Sequence, residues 1–312
     1  MRAAMRLVVS LIASLAGKMS PNRRVCPGWL IARRVAGCAA ALAAVIGSSV
    51  ATAQQAPRRI VSFNLCADQL VLALADPEQV AGLSPYAADP SLSVMARAAN
   101  GFPRLEWQAE SIVSLNPDLV LVGSWDRSVT QRILAKLGYR VAEIELVRDI
   151  ASARRQIVEV AALLGHRKRG EHLLAALDAA RGRLAGRART PFTTALVIER
   201  GGYAAGSASL AAALLAEAGL RAPPGAPAGY GAFVPLERLI MLKPDLVVIK
   251  DPPREPGDQG ALYLTHPALR ALYPPERRMA LPTRFTLCGG PALVAALNYL
   301  ADTLAQMHAS TR

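Results

Sequence analysis

ESIVSLNPDLVLV, Glu110 to Val122, occurs a second time as ERLIMLKPDLVVI, Glu237 to Ile249. Six aligned positions are identical: Glu110/Glu237, Leu115/Leu242, Pro117/Pro244, Asp118/Asp245, Leu119/Leu246 and Val120/Val247. Each copy opens with a Glu, carries apolar residues at helical spacing for one to two turns, stops at a Pro and runs Asp-Leu-Val into an apolar stretch of strand length. A proline disfavours helix at the preceding residue, so Asn116 and Lys243 mark the helix ends. The runs that follow are apolar on both faces and read as buried parallel strands. A helix feeding a buried strand, built twice, predicts an α/β protein of two lobes.

Outward from the repeats, the chain begins with a stretch of different character. No acidic residue precedes Asp68, whereas residues 1–53 hold Arg2, Arg6, Lys18, Arg23, Arg24, Arg33 and Arg34. Arg33-Arg34, the Ala-rich run Val35 to Ile46 and then Ala51-Thr52-Ala53 have the order of a secretory signal, predicting cleavage after Ala53 and a soluble, exported product. The earlier apolar run Leu7 to Gly17 lies far from any cleavage site, and Met19 would serve as a later start. Lipidation at Cys38 is a weaker reading, because most of the apolar segment follows that cysteine. Without the leader's seven cations, the formal charge of +13 falls to +6, with 29 basic residues against 23 acidic. The remaining arginines are scattered, which argues against a nucleic-acid partner. Four cysteines become two, Cys66 and Cys288.

The reading divides the chain into a leader (1–53), a first α/β lobe (54–148), a helical strut (149–190) and a second α/β lobe (191–312). In the first lobe, Ile60 to Phe63 is a strand leading through Asn64-Leu65-Cys66 into a helix to about Ala75, which puts Asn64 and Cys66 where open α/β sheets bind ligands. Val80 to Leu83 is the next strand. The irregular segment Ser84 to Trp107 is a candidate binding rim, and Trp125 follows the first repeat's strand on a strand-end loop. Ile150 to Leu164 and Arg167 to Leu184 are helices, the second about 27 Å long and ended by Gly186. The second lobe restarts with a strand at Thr193 to Glu199. The glycines of Arg200-Gly201-Gly202-Tyr203 match no phosphate-binding pattern, and Pro223 to Phe233 reads as a loop carrying Tyr230 and Phe233.

No metal-ligand spacing, paired Cys-x-x-Cys or nucleophile elbow is present. His166, His172, His266 and His308 are dispersed, the first two reading as surface residues. The chain is expected not to be an enzyme and to need no cofactor; an exported α/β enzyme or a metal-ion binding protein is the alternative. Free thiols at Cys66 and Cys288 are the first expectation; a disulfide between them and a thiolate against a ligand's metal are the others.

With its leader, paired E-x-x-[IV]-x-L-x-P-D-L-V segments, helical strut and the G-L-x-x-Y loop at Gly82 to Tyr86, the chain resembles the periplasmic binding proteins of iron-siderophore, haem and vitamin B12 ABC importers, from Arg58 onward. The resemblance implies two Rossmann-like lobes joined by one long helix, a monomer holding a metal chelate in a cleft between lobes that move little, and ABC permease subunits as partners. In the B12-binding member a Tyr of the G-x-x-x-Y loop, Trp residues near the first repeat and a ring before the second line the pocket. Tyr86, Trp107, Trp125 and Phe233 are the matching residues; Tyr203 and Arg284 complete the candidate ligand-binding set. In that family one surface Glu per lobe meets permease arginines, a role that falls here on Glu110 and Glu237. The chelate left open is a corrinoid, a haem or a ferric siderophore.

Overall fold

The computed structural model describes residues 55–124, 128–187, 190–250 and 262–310; the leader lies outside them. The first lobe is built on four parallel strands, β1 (Ile60–Ser62), β2 (Val80–Gly82), β3 (Leu119–Gly123) and β4 (Val141–Ile144), in the order β2-β1-β3-β4. The first repeat supplies β3, which lies inside the sheet and is buried along its whole length, as its apolar run requires. Helices α1 (Leu65–Leu74), α2 (Ala109–Val113) and α3 (Ser128–Lys136) connect the strands.

The second lobe holds β5 (Ala195–Ile198), β6 (Tyr203–Ala205), β7 (Gly231–Phe233), β8 (Leu246–Ile249) and β9 (Arg278–Ala280), in the order β7-β6-β5-β8-β9. The second repeat supplies β8, parallel to β5 and β9. The antiparallel strand β7 corrects the reading of Pro223 to Phe233 as a loop, and its partner β6 was assigned no element by the sequence reading. Three residues per strand, with Gly231 in one of them, are too few to display a period-two pattern.

Between the sheets run α4 (Ile150–Leu164) and α5 (Arg167–Arg187). Asp149 caps α4 by accepting from the Ser152 amide at 2.7 Å, and Gly165 ends it with φ 86. The second helix runs through Gly186 instead of stopping there, because Gly186 does not adopt the left-handed conformation by which a glycine ends a helix. It is also more than a bare strut. It packs against α4 and against the last helix of the chain, α10 (Pro291–Ser310), which follows α6 (Leu210–Glu217), α7 (Leu236–Leu242), α8 (Leu262–Thr265) and α9 (Pro267–Leu272). Leu177, Ala180 and Leu184 of α5 belong to one apolar core that includes Ile60 and Leu119 of the first lobe and Val197 and Val248 of the second. The lobes therefore share their interior. His166, expected at the surface, instead meets Gln79 Oε1 at 2.6 Å through Nε2 and is half-buried beside Asp76. No described helix is long and apolar enough to cross a membrane.

The repeats are used identically in both lobes. Asp118 accepts from the Arg58 and Arg59 amides at 2.7 and 3.0 Å, just ahead of β1. Asp245 accepts from the Thr193 and Thr194 amides at 3.0 and 2.8 Å, just ahead of β5. These donors and the Thr193 hydroxyl hold the Asp245 carboxyl well below the usual range, at about 2. Each aspartate thus ties the start of its own lobe's first strand to the strand that the repeat supplies.

The two residues before the prolines, Asn116 (φ 43) and Lys243 (φ 45), are the only described non-glycine residues in the left-handed region. Asn tolerates that conformation, whereas Lys pays for a Cβ crowding its own backbone. Replacing Lys243 by Gly is expected to stabilise the protein by about 0.5 to 1 kcal/mol. A urea midpoint unchanged or lowered in this variant would show that the turn carries no strain.

Candidate functional site

The carboxyl ends of the parallel strands in both sheets point to the region where the lobes meet. On the first-lobe side, β1 runs into Phe63 and Asn64. The Asn64 side chain caps α1 by accepting from the Cys66 and Ala67 amides at 2.8 and 3.1 Å, which fixes the turn bearing Cys66. One turn further along, Asp68 is fully buried and accepts from the Ser84 amide at 3.0 Å and from its hydroxyl. That pair anchors the segment after β2, so Tyr86 leaves the lobe from a held position. Its ring is 48% exposed and stands 5.3 Å from that of Trp107, which in turn packs 5.3 Å from the buried Phe63. Three rings therefore run from core to surface, with Tyr86 outermost. Trp125 lies outside the described residues.

Burial pushes the Asp68 carboxyl up to about 6, against the opposing pull of its hydrogen bonds from Ser62 and Ser84. The folded protein thus binds a proton here more tightly than the unfolded chain does. Stability is therefore expected to rise as pH falls from about 7 to about 4, by on the order of 2 kcal/mol from this group. Urea midpoints for the parent and Asp68→Asn at both pH values check this. A slope equally steep in the variant would remove Asp68 as its source.

On the second lobe, β6 and β7 carry two of the candidate rings. Tyr203 and Phe233 are direct partners in that antiparallel pair, with ring centroids 5.4 Å apart, and Phe233 is 75% exposed. The turn before them depends on Gly202, at φ 82, where a Cβ would come within 2.7 Å of the Tyr263 ring. Behind the rings, Lys250 pairs with Glu199 at 2.9 Å, both at strand ends.

Among the described residues, side-chain contacts cross between the lobes at several points. Cys66 and Cys288 are joined by a disulfide with Cα atoms 5.1 Å apart, which corrects the first expectation of free thiols. Cys66 is the second residue of α1 and Cys288 lies in the turn leading into α10, which packs on α1. Arg284 donates from Nη1 to the Pro90 carbonyl at 3.2 Å and stacks on Phe285, so this candidate ligand-binding cation is committed across the lobe boundary. The Arg148 guanidinium lies 5.1 Å over the Tyr230 ring.

The sequence reading missed Gln156, buried on α4 where the lobes meet. Its signal was a single amide in the stripe Ala153, Ile157, Val160 that otherwise packs into the core. Beside it, a cavity of about 60 Å³ lies between the strand ends at Asn64, Ser124 and Val147 and the Leu287–Gly289 turn of the second lobe. A wider hollow of about 570 Å³ adjoins it, sharing Ser124, Glu145 and Leu146 and reaching Arg148. Glu110 and Glu237 line neither cavity: each is the second residue of its helix, α2 or α7, and each is exposed.

The profile of the family described as "Periplasmic binding protein" matches residues 60–260. No curated protein sequence matches significantly. Among solved structures, the periplasmic heme-binding protein RhuT from Roseiflexus sp. RS-1, in apo form, aligns at 24% identity with a TM-score of 0.64, covering 80% of this chain and 98% of its own. A periplasmic heme-binding protein from Pseudomonas aeruginosa aligns at 22% identity and TM-score 0.64 over 80% of this chain and 93% of its own. The periplasmic vitamin B12 binding protein BtuF of Vibrio cholerae aligns at 15% identity and TM-score 0.61 over 81% and 98%. These likenesses establish the two-lobed fold.

Proposed function

The chain belongs to the periplasmic binding protein family, and from that premise we propose that it is the solute-binding component of an ABC importer, capturing a bulky metal chelate between its lobes and passing it to a permease. Membership implies work in the periplasm. In this reading the leader is a signal peptide cut after Ala53, and the mature protein acts as a monomer. The observation that carries the ligand class is a ring pair with an exposed member on each lobe: Tyr86 against Trp107 on one, Tyr203 against Phe233 on the other. An exposed ring on a strand held in register is costly to leave in water, and covering it by a flat macrocycle recovers about 25 cal/mol per Å².

Charge narrows the class. Arg284, Lys250 and Arg148 are each engaged with a protein partner, so few cations are left to converge on an anionic siderophore. A corrinoid or a haem suits such rings better. Calorimetric and absorption titrations of the mature protein with cyanocobalamin, haemin and ferrichrome test the proposal. Binding of at least one is expected, with quenching of tryptophan fluorescence, and binding of none would end it.

A further inference from the structure

Gln156 is 5% exposed, and its Nε2 donates to the Glu145 carbonyl at 2.7 Å. That partner is an acceptor, which fixes the amide orientation: the donor end must face Glu145, so the other end is the oxygen. Gln156 Oε1 has no hydrogen-bond partner. It lies on the Gly289 side, where a Cβ built on Gly289 would come within 3.2 Å of it and within 2.9 Å of Val147 Cγ2. Gly289 is therefore the residue that leaves room at this wall. Gln156 and Gly289 both line the cavity of about 60 Å³ on the floor between the lobes, whose outer edge is formed by Ser124, Glu145 and Leu146.

A buried acceptor left without a donor costs free energy unless something completes it. We infer that this cavity is a subsite for one uncharged, hydrogen-bond-donating arm of the ligand, a primary carboxamide being the fitting class, and that Gln156 is a specificity-determining residue that accepts from its N–H. The inference rests on the proposed chelate-binding function and goes further by naming the chemistry of the ligand's periphery. Size agrees: a site holds a water in about 10 to 15 Å³ of such space, so this one takes the few heavy atoms of a carboxamide end. Charge agrees too. A carboxylate arm brings no N–H and would set its lone pairs against Gln156 Oε1 at a cavity whose lining also includes the acidic, exposed Glu145. The cavity thus rejects acid side arms as well as favouring amide ones, and rejection of the wrong group by an orphaned polar atom is the stronger half of such discrimination.

The test compares two ligands with the same macrocycle: cyanocobalamin, whose arms are amides, and cobyrinic acid in its dicyano form, whose arms are carboxylates, with haemin and ferrichrome as further probes. The parent is expected to bind cyanocobalamin at least about tenfold tighter than cobyrinic acid. Gln156→Met, which keeps length and burial but removes the acceptor, should weaken cyanocobalamin binding by about fivefold while changing cobyrinic acid binding by less than about twofold. Gln156→Asn retracts the same acceptor with less disturbance and serves if the Met variant folds poorly. Equal losses for both ligands, no loss for either, or a parent that prefers cobyrinic acid or haemin would each overturn the subsite while leaving the chelate-binding function standing. A parent that binds none of the four probes overturns that function and the subsite with it.

Discussion

Uptake is expected to fall to background when Glu110 and Glu237 are both replaced by alanine, with the affinity of the mature protein for its chelate unchanged. The structure sets the two carboxylates at equivalent points. Each is the second residue of the short helix that precedes a left-handed turn, an Asp clamp and a buried strand, and each is exposed while Ile112 or Leu239 on the same helix is buried. A carboxylate in the first turn also favours the helix dipole, by about 0.3 to 1 kcal/mol, and that role alone would account for either residue singly. It accounts less well for the retention of Glu in both copies when the next position has diverged to Ser111 in one and Arg238 in the other. One acid per lobe at matching positions would serve as a two-point handle, and truncating one partner of a charge pair buried at an interface costs about 2 to 5 kcal/mol, or roughly thirtyfold or more in affinity. Losing both should take docking below any working concentration. The measurements are transport in cells exporting normal amounts of the variant, and binding of the loaded protein to the permease in detergent. Undiminished transport by the double variant would leave both residues as helix starts and nothing more. Unfolding curves separate the effects, since the dipole role predicts a loss of about 1 kcal/mol per site at most and no specific defect in docking.

The repeated segment made the centre of both sheets legible before any coordinates, because a buried parallel strand has an unbroken apolar run, and Pro117 and Pro244 mark where the helix before it must stop. The helices α4 and α5 were legible for a similar reason: their apolar stripes are long. What escaped was of two kinds. The strands β6 and β7 are three residues each, so the register that sets Tyr203 against Phe233 exists only through pairing, and no local pattern announces it. The function of Asp118 and Asp245 was hidden because their partners lie 59 to 60 and 51 to 52 residues away, at the start of another strand. The rings and the two acidic residues could be named as candidates because the resemblance carried those roles onto positions beside strand ends and helix starts. Arg284 could be named too, but its commitment to the Pro90 carbonyl is a matter of distance between lobes. Gln156 shows the limit most clearly. A glutamine in an apolar stripe is visible in the sequence, yet whether both ends of its amide find partners depends on the Gly289 turn more than a hundred residues later.

Replacing Cys66 and Cys288 together by serine is expected to lower stability by about 4 kcal/mol while leaving the fold intact. The bond spans 222 residues, and closing a loop of that length in the unfolded chain removes conformational entropy worth roughly 5 kcal/mol. A compact denatured ensemble has already lost part of that freedom, which brings the figure down. The folded protein does not depend on the bond for its shape: α10 packs along α5 and on α1, and the shared core continues beneath the cleft. The effect should therefore appear as an easier unfolding transition and not as separated lobes. Cys288 is 1% exposed and Cys66 half-buried, so a mild reductant should act slowly on the native protein and quickly once urea opens it. Thiol titration of the denatured mature protein, before any reductant, should find no reactive thiol. Urea curves with and without reductant should then differ for the parent and coincide for the double serine variant. If the parent's two curves coincide as well, the bond contributes nothing to stability, and the lobes are held by the helices, the shared core and the Arg284 and Arg148 contacts.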